Sequence, residues 1–375
     1  MHDPKAKNGW GLPPWHIDFV PSPGELPEES DFVVIGGGFT GLASAAWLRR
    51  LAPEKSVTVL EAARLGAGAS GRTGGMALSE TAAGDAPGLG DVLAGLENIL
   101  KKLEVGCDLY LPGAFEIGRS GDASRSPIRW QDSGDLHVVN EVPGGSLDPG
   151  KLVRGLGHAA ERLGAKIFEN SSVRSVDWNA PQPLVRLAKT EIRAGKILFA
   201  TNALSTELSG LGEAEARLTL AIASEPLTEK QLEQIGLGER KPFYTVDLPY
   251  LWGRVRPNNS VIWGGGLVSA PRAKTLQSIA VSSGDAARLI ESLQTRVRGL
   301  HPALRDVSFT HRWGGPILFR ESWVPAFDWH PRSGNAIVLG AYAGHGVALS
   351  CYLGAWAAEA LLGRRALPAW GKIGR

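Results

Sequence analysis

Asp31-Phe-Val-Val-Ile-Gly36-Gly-Gly-Phe-Thr-Gly41 is the stretch on which the fold turns. Its first five residues form a nearly continuous apolar run, the pattern of a strand buried on both faces in a parallel sheet. The run passes straight into Gly36-x-Gly38-x-x-Gly41, and Leu42 to Leu51, rich in Ala and Leu, reads as a helix. Ser56-Val-Thr-Val-Leu-Glu61 is a second strand that ends in an acid. Together they make a βαβ unit of about 30 residues. In this arrangement Gly36 permits the tight turn, Gly38 lets the backbone approach a pyrophosphate, and Gly41 allows close helix–strand packing. The helix N-terminus then offers free N–H groups to phosphates. Glu61, 20 residues beyond Gly41, is placed to accept a hydrogen bond from a ribose hydroxyl. With no partner nearby for a 2′-phosphate, the pattern points to FAD or NAD.

Outward from this unit the chain changes character. Residues 1–30, with Pro13, Pro14, Pro21, Pro23 and Pro27, read as an irregular N-terminal arm over the surface. Gly66-Ala-Gly-Ala-Ser-Gly-Arg-Thr-Gly-Gly75 is too glycine-rich for the interior of a helix or strand. Between Pro87 and Gly145 a helix and then strands are expected without βαβ alternation. Asp148-Pro149 is a helix start, an N-cap with proline after it, for a helix over Lys151–Leu163 that stops at Gly164. Strands are expected at 165–169, 173–178, 184–187 and 196–200, then a mixture of strands and an amphipathic helix over 216–324. Ala336–Gly340 is the last strand, followed by a helix over Val347–Leu362 that Gly363, Arg364 and Arg365 end with turn and cation.

A chain of 375 residues is long enough for two domains. Forty Lys and Arg against 38 Asp and Glu leave no global field that draws nucleic acid or anionic lipid. No stretch has the ~20 apolar residues of a membrane span, and Met1–Val20 has no signal-type run, so the cytoplasm is the expected location. Cys107 and Cys351, far apart in sequence, form no metal or redox spacing and suit a reducing compartment. A homo-oligomer is left open.

Several of these segments carry a resemblance. Gly36 to Gly75 is similar to the N-terminus of the D-amino-acid-oxidase-like FAD-dependent oxidoreductases, especially the branch of glycine/sarcosine oxidases and γ-glutamylputrescine oxidase. Gly68-Ala-Ser-Gly-Arg-Thr-Gly-Gly75 resembles that branch's flavin-side loop, in which small residues touch a flat ring and Arg72 neutralises negative charge. Ala200-Thr-Asn-Ala203 resembles the segment closing over the adenine half, and Ala223-Ser-Glu-Pro-Leu227 the crossing into a substrate domain. Trp313-Gly-Gly-Pro316 with Gly344-His-Gly-Val347 resembles a C-terminal signature in which the last helix aims at the flavin. The resemblance spans residues 31 to about 365.

It implies FAD held by Gly36, Gly38, Thr40, Gly41, Glu61 and Ala62, by Ala69, Ser70, Gly71, Arg72, Thr73 and Gly74, and by Val173, Ala200, Thr201 and Asn202. Gly340, Gly344, His345, Gly346 and Val347 complete the set. A helix N-terminus at the pyrimidine edge would favour the anion that forms there on reduction. His345 either bonds flavin or substrate or only caps the helix. Arg254 and Arg320 are candidates to grip a substrate carboxylate, against a structural role for each. At two points the chain departs from sarcosine oxidases: Ser260–Trp263 lacks the oxygen-activating lysine, and Gly315–Phe319 lacks the flavin-tethering cysteine. FAD is therefore expected to be non-covalent, with O2 or another electron acceptor.

The expected fold is α/β, α+β overall. A Rossmann-type FAD-binding domain (31–85, 146–215, 325–375) is interleaved with a substrate domain (86–145, 216–324) built on an antiparallel sheet, and the active site lies between them. The expected activity is oxidation of an amine or amino-acid C–N bond by hydride transfer to flavin N5, giving an imine that hydrolyses. The alternatives are oxidation of a 2-hydroxy acid or other alcohol, or a non-catalytic flavin-binding partner subunit. Trp252, Trp263 and Trp313 are expected to make the cavity hydrophobic.

Overall fold

The computed structural model describes residues 9–269 and 276–373. The first residues of the expected arm, 1–8, and residues 270–275 of the expected substrate domain lie outside that set. The chain begins with β1 (Glu29–Ile35), α1 (Phe39–Leu51) and β2 (Val57–Leu60), as the opening motif requires. β3 (Met76–Leu78), α2 (Val92–Leu103), β4 (Ala114–Gly118), β5 (Trp130–Gln131), β6 (Asp135–Val142) and β7 (Gly144–Ser146) follow. Then come α3 (Pro149–Arg162), β8 (Lys166–Phe168), β9 (Ser175–Asp177), β10 (Leu184–Arg186) and β11 (Glu191–Phe199).

Five strands make the parallel heart of the first sheet. β1 pairs with β2 and β11, β2 with β8, and β11 with β18 (Ser333–Gly340), all parallel. The spatial order β8-β2-β1-β11-β18 is the 3-2-1-4-5 order of a doubly wound dinucleotide-binding sheet. β17 (Ala326–His330) closes one edge antiparallel, and the β9–β10 hairpin hangs from β11. On one face sit α1, α3 and the last helix, which is α6 (Gly346–Leu361).

Close backbone approach explains the glycines at the start. Gly36 has φ +115°, and a Cβ there would lie 2.5 Å from the Ala200 carbonyl oxygen. A Cβ on Gly41 would lie 1.9 Å from the Gly36 carbonyl oxygen, so α1 rests directly on the turn. α1 also crosses α6 at close range, with Ser44 Oγ donating to Gly354 O at 2.7 Å.

The second sheet has the order β16-β12-β15-β14-β13-β4-β6-β5. It contains β12 (Glu215–Pro226), β13 (Phe243–Thr245), β14 (Trp252–Val255), β15 (Ser260–Ser269) and β16 (Phe309–Phe319). Its pairs are antiparallel except β4 with β13. α5 (Gly284–Leu300) covers β12 and β15 with Ile290, Leu293 and Val297, and the short α4 (Glu229–Gln234) buries Leu232. β3 and β7 pair at the point where the chain leaves the first unit and returns.

α3 starts as expected: the Asp148 carboxylate accepts from Lys151 N at 2.8 Å, and Gly164 takes φ +94° past its end. Four expectations need correction. The arm does not merely lie on the surface, because Trp10, Trp15 and Phe19 are buried. α2, expected with the substrate domain, packs against α6 in the helix layer of the first sheet through Leu96, Ile99 and Leu100. Residues 223–226 are the end of β12, with Leu227 just past it; the crossing into the second sheet occurs earlier, before Glu215. At the end of α6, Arg364 serves a different helix, donating to Leu51 O of α1 at 3.2 Å, while Arg365 pairs with Glu359.

Among the described residues no helix is long and apolar enough to cross a membrane. Substituting Gly41→Ala forces α1 off the turn. Loss of about 3 kcal/mol or more is expected, read as a lower urea midpoint, with a matching fall in bound FAD.

Candidate functional site

Between the two sheets lies a cavity of about 680 Å³, within the range of small-molecule sites. The βαβ turn supplies Gly36, Gly38 and Thr40, and the tip of β2 supplies Glu61 and Ala62. Glu61 is tied back by two backbone donors, Gly37 N at 2.8 Å and Ala63 N at 2.9 Å. Burial raises the Glu61 pKa from the ordinary carboxylate value against those bonds. Val173, Ala200, Thr201 and Asn202 line the same end.

The turn before α6 meets this wall. Gly344, His345, Gly346 and Val347 line the cavity, and the buried Tyr342 hydroxyl hydrogen-bonds Thr40 Oγ1 at 2.7 Å. The N-terminus of α6 has no side-chain cap, so its first N–H groups are left for a ligand. Ala341 and Ala343 have φ +59° and +50°, an unfavourable region for alanine. Asn202 Oδ1 holds the first by accepting from Ala341 N at 2.9 Å, and Leu318 O holds the second by accepting from Ala343 N at 3.1 Å.

The glycine-rich loop forms the floor. Ala69, Ser70, Arg72, Thr73 and Gly74 line the cavity, and Ser70 Oγ accepts from Phe39 N at 2.9 Å. The buried arm fixes this loop from behind. Trp15 Nε1 donates to Gly71 O and Trp313 Nε1 to Arg72 O, each at 2.8 Å, and the two indoles meet edge to face. Arg72 was expected to neutralise ligand charge, but its guanidinium is bonded to protein carbonyls, with Nη1 2.7 Å from Gly11 O and 3.3 Å from Gly314 O. Burial lowers its pKa to about 10, so it remains charged at neutral pH.

Gly41, Gly71 and Gly340 do not line the cavity; they shape the backbone behind it. Neither Arg254 nor Arg320, the candidate substrate ligands, lines it either. Arg254 is buried: two residues along β14 from Trp252 it shares that residue's face, but its Nε is bonded to Gly74 O and its guanidinium lies against Gly75, behind the glycine-rich loop. Arg320 donates to Pro325 O and Lys372 O. Of the three tryptophans, Trp252 and Trp313 line the cavity, whereas Trp263 is packed between Trp130 and Phe243. The reason is register: Trp252 pairs with Gly264, which turns the adjacent Trp263 to the other face.

The second sheet adds residues that no motif singled out: Glu116, Tyr244, Tyr250 and Phe319, with Glu80 after β3 and Trp323 after β16. One signal existed, a glutamate in the middle of the otherwise apolar Ala114-Phe-Glu-Ile-Gly118. Among the described residues no group of His, Cys, Asp and Glu is arranged to hold a metal.

A family model described as FAD dependent oxidoreductase (DAO) matches residues 31–360. The chain belongs to this family. A relative, the Escherichia coli (strain K12) gamma-glutamylputrescine oxidoreductase, is 28% identical, with the match covering 89% of this chain and 84% of the relative. In fold the chain is similar to the L-proline dehydrogenase of P. horikoshii (TM-score 0.73, 19% identity, 92% of this chain and 97% of that one). It is also similar to the glycine oxidase of Geobacillus kaustophilus (TM-score 0.72, 15% identity, 93% and 99%). As a DAO-family flavoenzyme the chain is an FAD-dependent oxidoreductase.

Its residues fit that cofactor. Two buried polar atoms on cavity-lining residues, Thr201 Oγ1 and His345 Nδ1, have no hydrogen-bond partner, a state that is costly unless a ligand supplies one. Burial holds the His345 pKa below its ordinary value, so the imidazole is neutral at pH 7.

Two predictions follow from this geometry. Trp15→Phe keeps an aromatic ring but leaves Gly71 O without its donor; FAD dissociation measured by fluorescence should rise about tenfold. For His345, the native state binds fewer protons than the unfolded chain below its unfolded pKa of about 6.5, so stability is lost as pH falls from there. His345→Gln should flatten the decline in denaturation free energy between about pH 6.5 and 5 by up to ~1 kcal/mol per pH unit. The remainder belongs to His311 and His330, whose pKa values burial also lowers.

Proposed function

We propose that this chain oxidises the C–N bond of an amine with non-covalently held FAD. The supporting observation is the composition of the cavity's outer wall. Beyond the cofactor-holding turns it is aromatic and acidic, and among the described residues its only cation is Arg72, already committed to backbone carbonyls. A 2-hydroxy acid would need a cationic fork for its carboxylate, and Arg254 and Arg320 face elsewhere. The similarity to a gamma-glutamylputrescine oxidoreductase, named for an amine substrate, supports the same class.

In this reading Gly38 and Thr40, whose backbone N–H groups are not taken by Glu61 or Ser70, hold the diphosphate together with Ser70, and Glu61 accepts from a ribose hydroxyl with its remaining lone pairs. The open N-terminus of α6 faces the flavin ring, where its N–H groups favour negative charge. When bound, FAD supplies the acceptor for the hydride lost from the carbon beside nitrogen, and the resulting imine adds water to give a carbonyl compound and ammonia or a smaller amine.

The chain's own contribution is positional. Tyr244, Trp252 and Trp313 wall the cavity and exclude water, and neutral His345 offers Nδ1 as one hydrogen-bond partner without competing for the anion site. Both cysteines are buried and neither lines the cavity, which supports a cofactor not tethered by a thioether. Their unpaired state also fits a reducing compartment such as the cytoplasm.

The holoenzyme, mixed anaerobically with amines and with alcohols and 2-hydroxy acids of matched carbon skeleton, should lose its visible flavin absorbance with amines alone. Bleaching by the oxygen compounds only, or by none of the panel, would reject this function. Re-admission of air then reports whether O2 serves as acceptor.

A further inference from the structure

The cavity carries two carboxylates that cofactor binding does not use. Glu116 sits in the middle of β4, directly across from Tyr244 in the β4–β13 register. The Tyr244 hydroxyl donates to Glu116 Oε1 at 2.7 Å, and Asn140 Nδ2 donates to Oε2 at 2.9 Å, so the side chain is held in one orientation. Glu80, just past β3, lines the same cavity and makes no hydrogen bond or ion pair with any described residue. Glu80 and Glu116 are near enough to interact, and burial, with the charges of Asp85 and Glu116, raises the Glu80 pKa.

Two half-sheltered like charges without a counter-ion are unfavourable unless a cation joins them. The same wall carries Tyr244, Tyr250 and Trp252, whose ring faces attract ammonium groups. His345, partly buried and neutral, has a buried Nδ1 without a partner and stands on this cavity as a second polar group that awaits a ligand.

We propose that the substrate is an amine bearing a second cationic nitrogen, a diamine or polyamine, whose far ammonium is received by Glu80 and Glu116 against the Tyr244 and Tyr250 rings. The inference rests on the amine reading above and deepens it. A carboxylate at the far end would meet two like charges and no free cation among the described residues. Glu80 and Glu116 are thus specificity-determining residues, and Tyr244 is a positioning residue that aims Glu116.

The test uses the FAD-loaded enzyme and three compounds of one chain length: cadaverine, pentylamine and ω-aminovalerate. Anaerobic stopped-flow reduction should favour cadaverine at least tenfold in kred/Kd over the other two. Glu80→Gln should lower that preference about tenfold, equivalent to about 1.4 kcal/mol, and Glu116→Gln, which still accepts from Tyr244, should do the same. Equal rates for the three compounds, a preference for ω-aminovalerate, or variants in which all three compounds slow by the same factor, leaving the preference for cadaverine intact, would overturn the proposal.

Spectral titration of the oxidised holoenzyme separates this proposal from the reading beneath it. Cadaverine that perturbs the flavin spectrum in a Glu80-dependent way without bleaching it would reject amine oxidation and keep cation recognition. Cadaverine that neither perturbs nor bleaches would reject cation recognition.

Discussion

The buried hydrogen bond between Thr40 and Tyr342 joins two segments separated by 302 residues and brings two helix N-termini to one place. Every other feature of the site depends on that convergence. Helix N-termini carry partial positive charge, so setting those of α1 and α6 on one cavity is electrostatically uphill until an anion lies between them. In the proposed complex a diphosphate at one and the flavin ring at the other would relieve the conflict together. The fold accepts the arrangement because close packing leaves little alternative: α1 rests on Gly36 and Gly41, and α6 crosses α1 where Gly354 brings the two backbones together.

The first sheet was legible because its signals are local. An apolar run, a glycine turn and an acid at fixed spacing specify the βαβ unit, and Asp148-Pro149 marks a helix start by capping chemistry alone. The second sheet was legible only as a class. Which residues of β4, β13 and β14 face the cavity depends on register, and register between β4 and β13 is set by segments more than 100 residues apart. Glu116 and Tyr244 are therefore hidden from the sequence, Trp263 turns away from the cavity, and of the two roles open to Arg254 the structural one is occupied, with its Nε bonded to Gly74 O. Arg72 shows the same limit. Its position beside the cofactor loop was readable from the sequence, but the direction of its guanidinium was set by the carbonyls of Gly11 and Gly314.

Local strain marks the site as well. Alanines at positive φ cost on the order of 1 kcal/mol each, and Ala341 and Ala343 stand two residues apart immediately before α6. Asn202 and Leu318, from either side of the cavity, hold them there. The strained turn presents uncapped N–H groups where a relaxed one would fold back on its own carbonyls. Rigidity at this turn is set by both sheets, and so the quality of the anion site depends on how the two units are assembled.

The arm imposes an order on assembly. Gly9 to Trp15 leaves the ribosome before any other described segment, yet its partners are Gly71, Arg256, Val281, Trp313 and Gly314, most of them synthesised near the end. Those contacts span much of the chain, and contacts of such separation close late. Until they close, the indoles of Trp10 and Trp15 have no burial site, so this segment stays exposed and adhesive until Trp313 and Gly314 have been made.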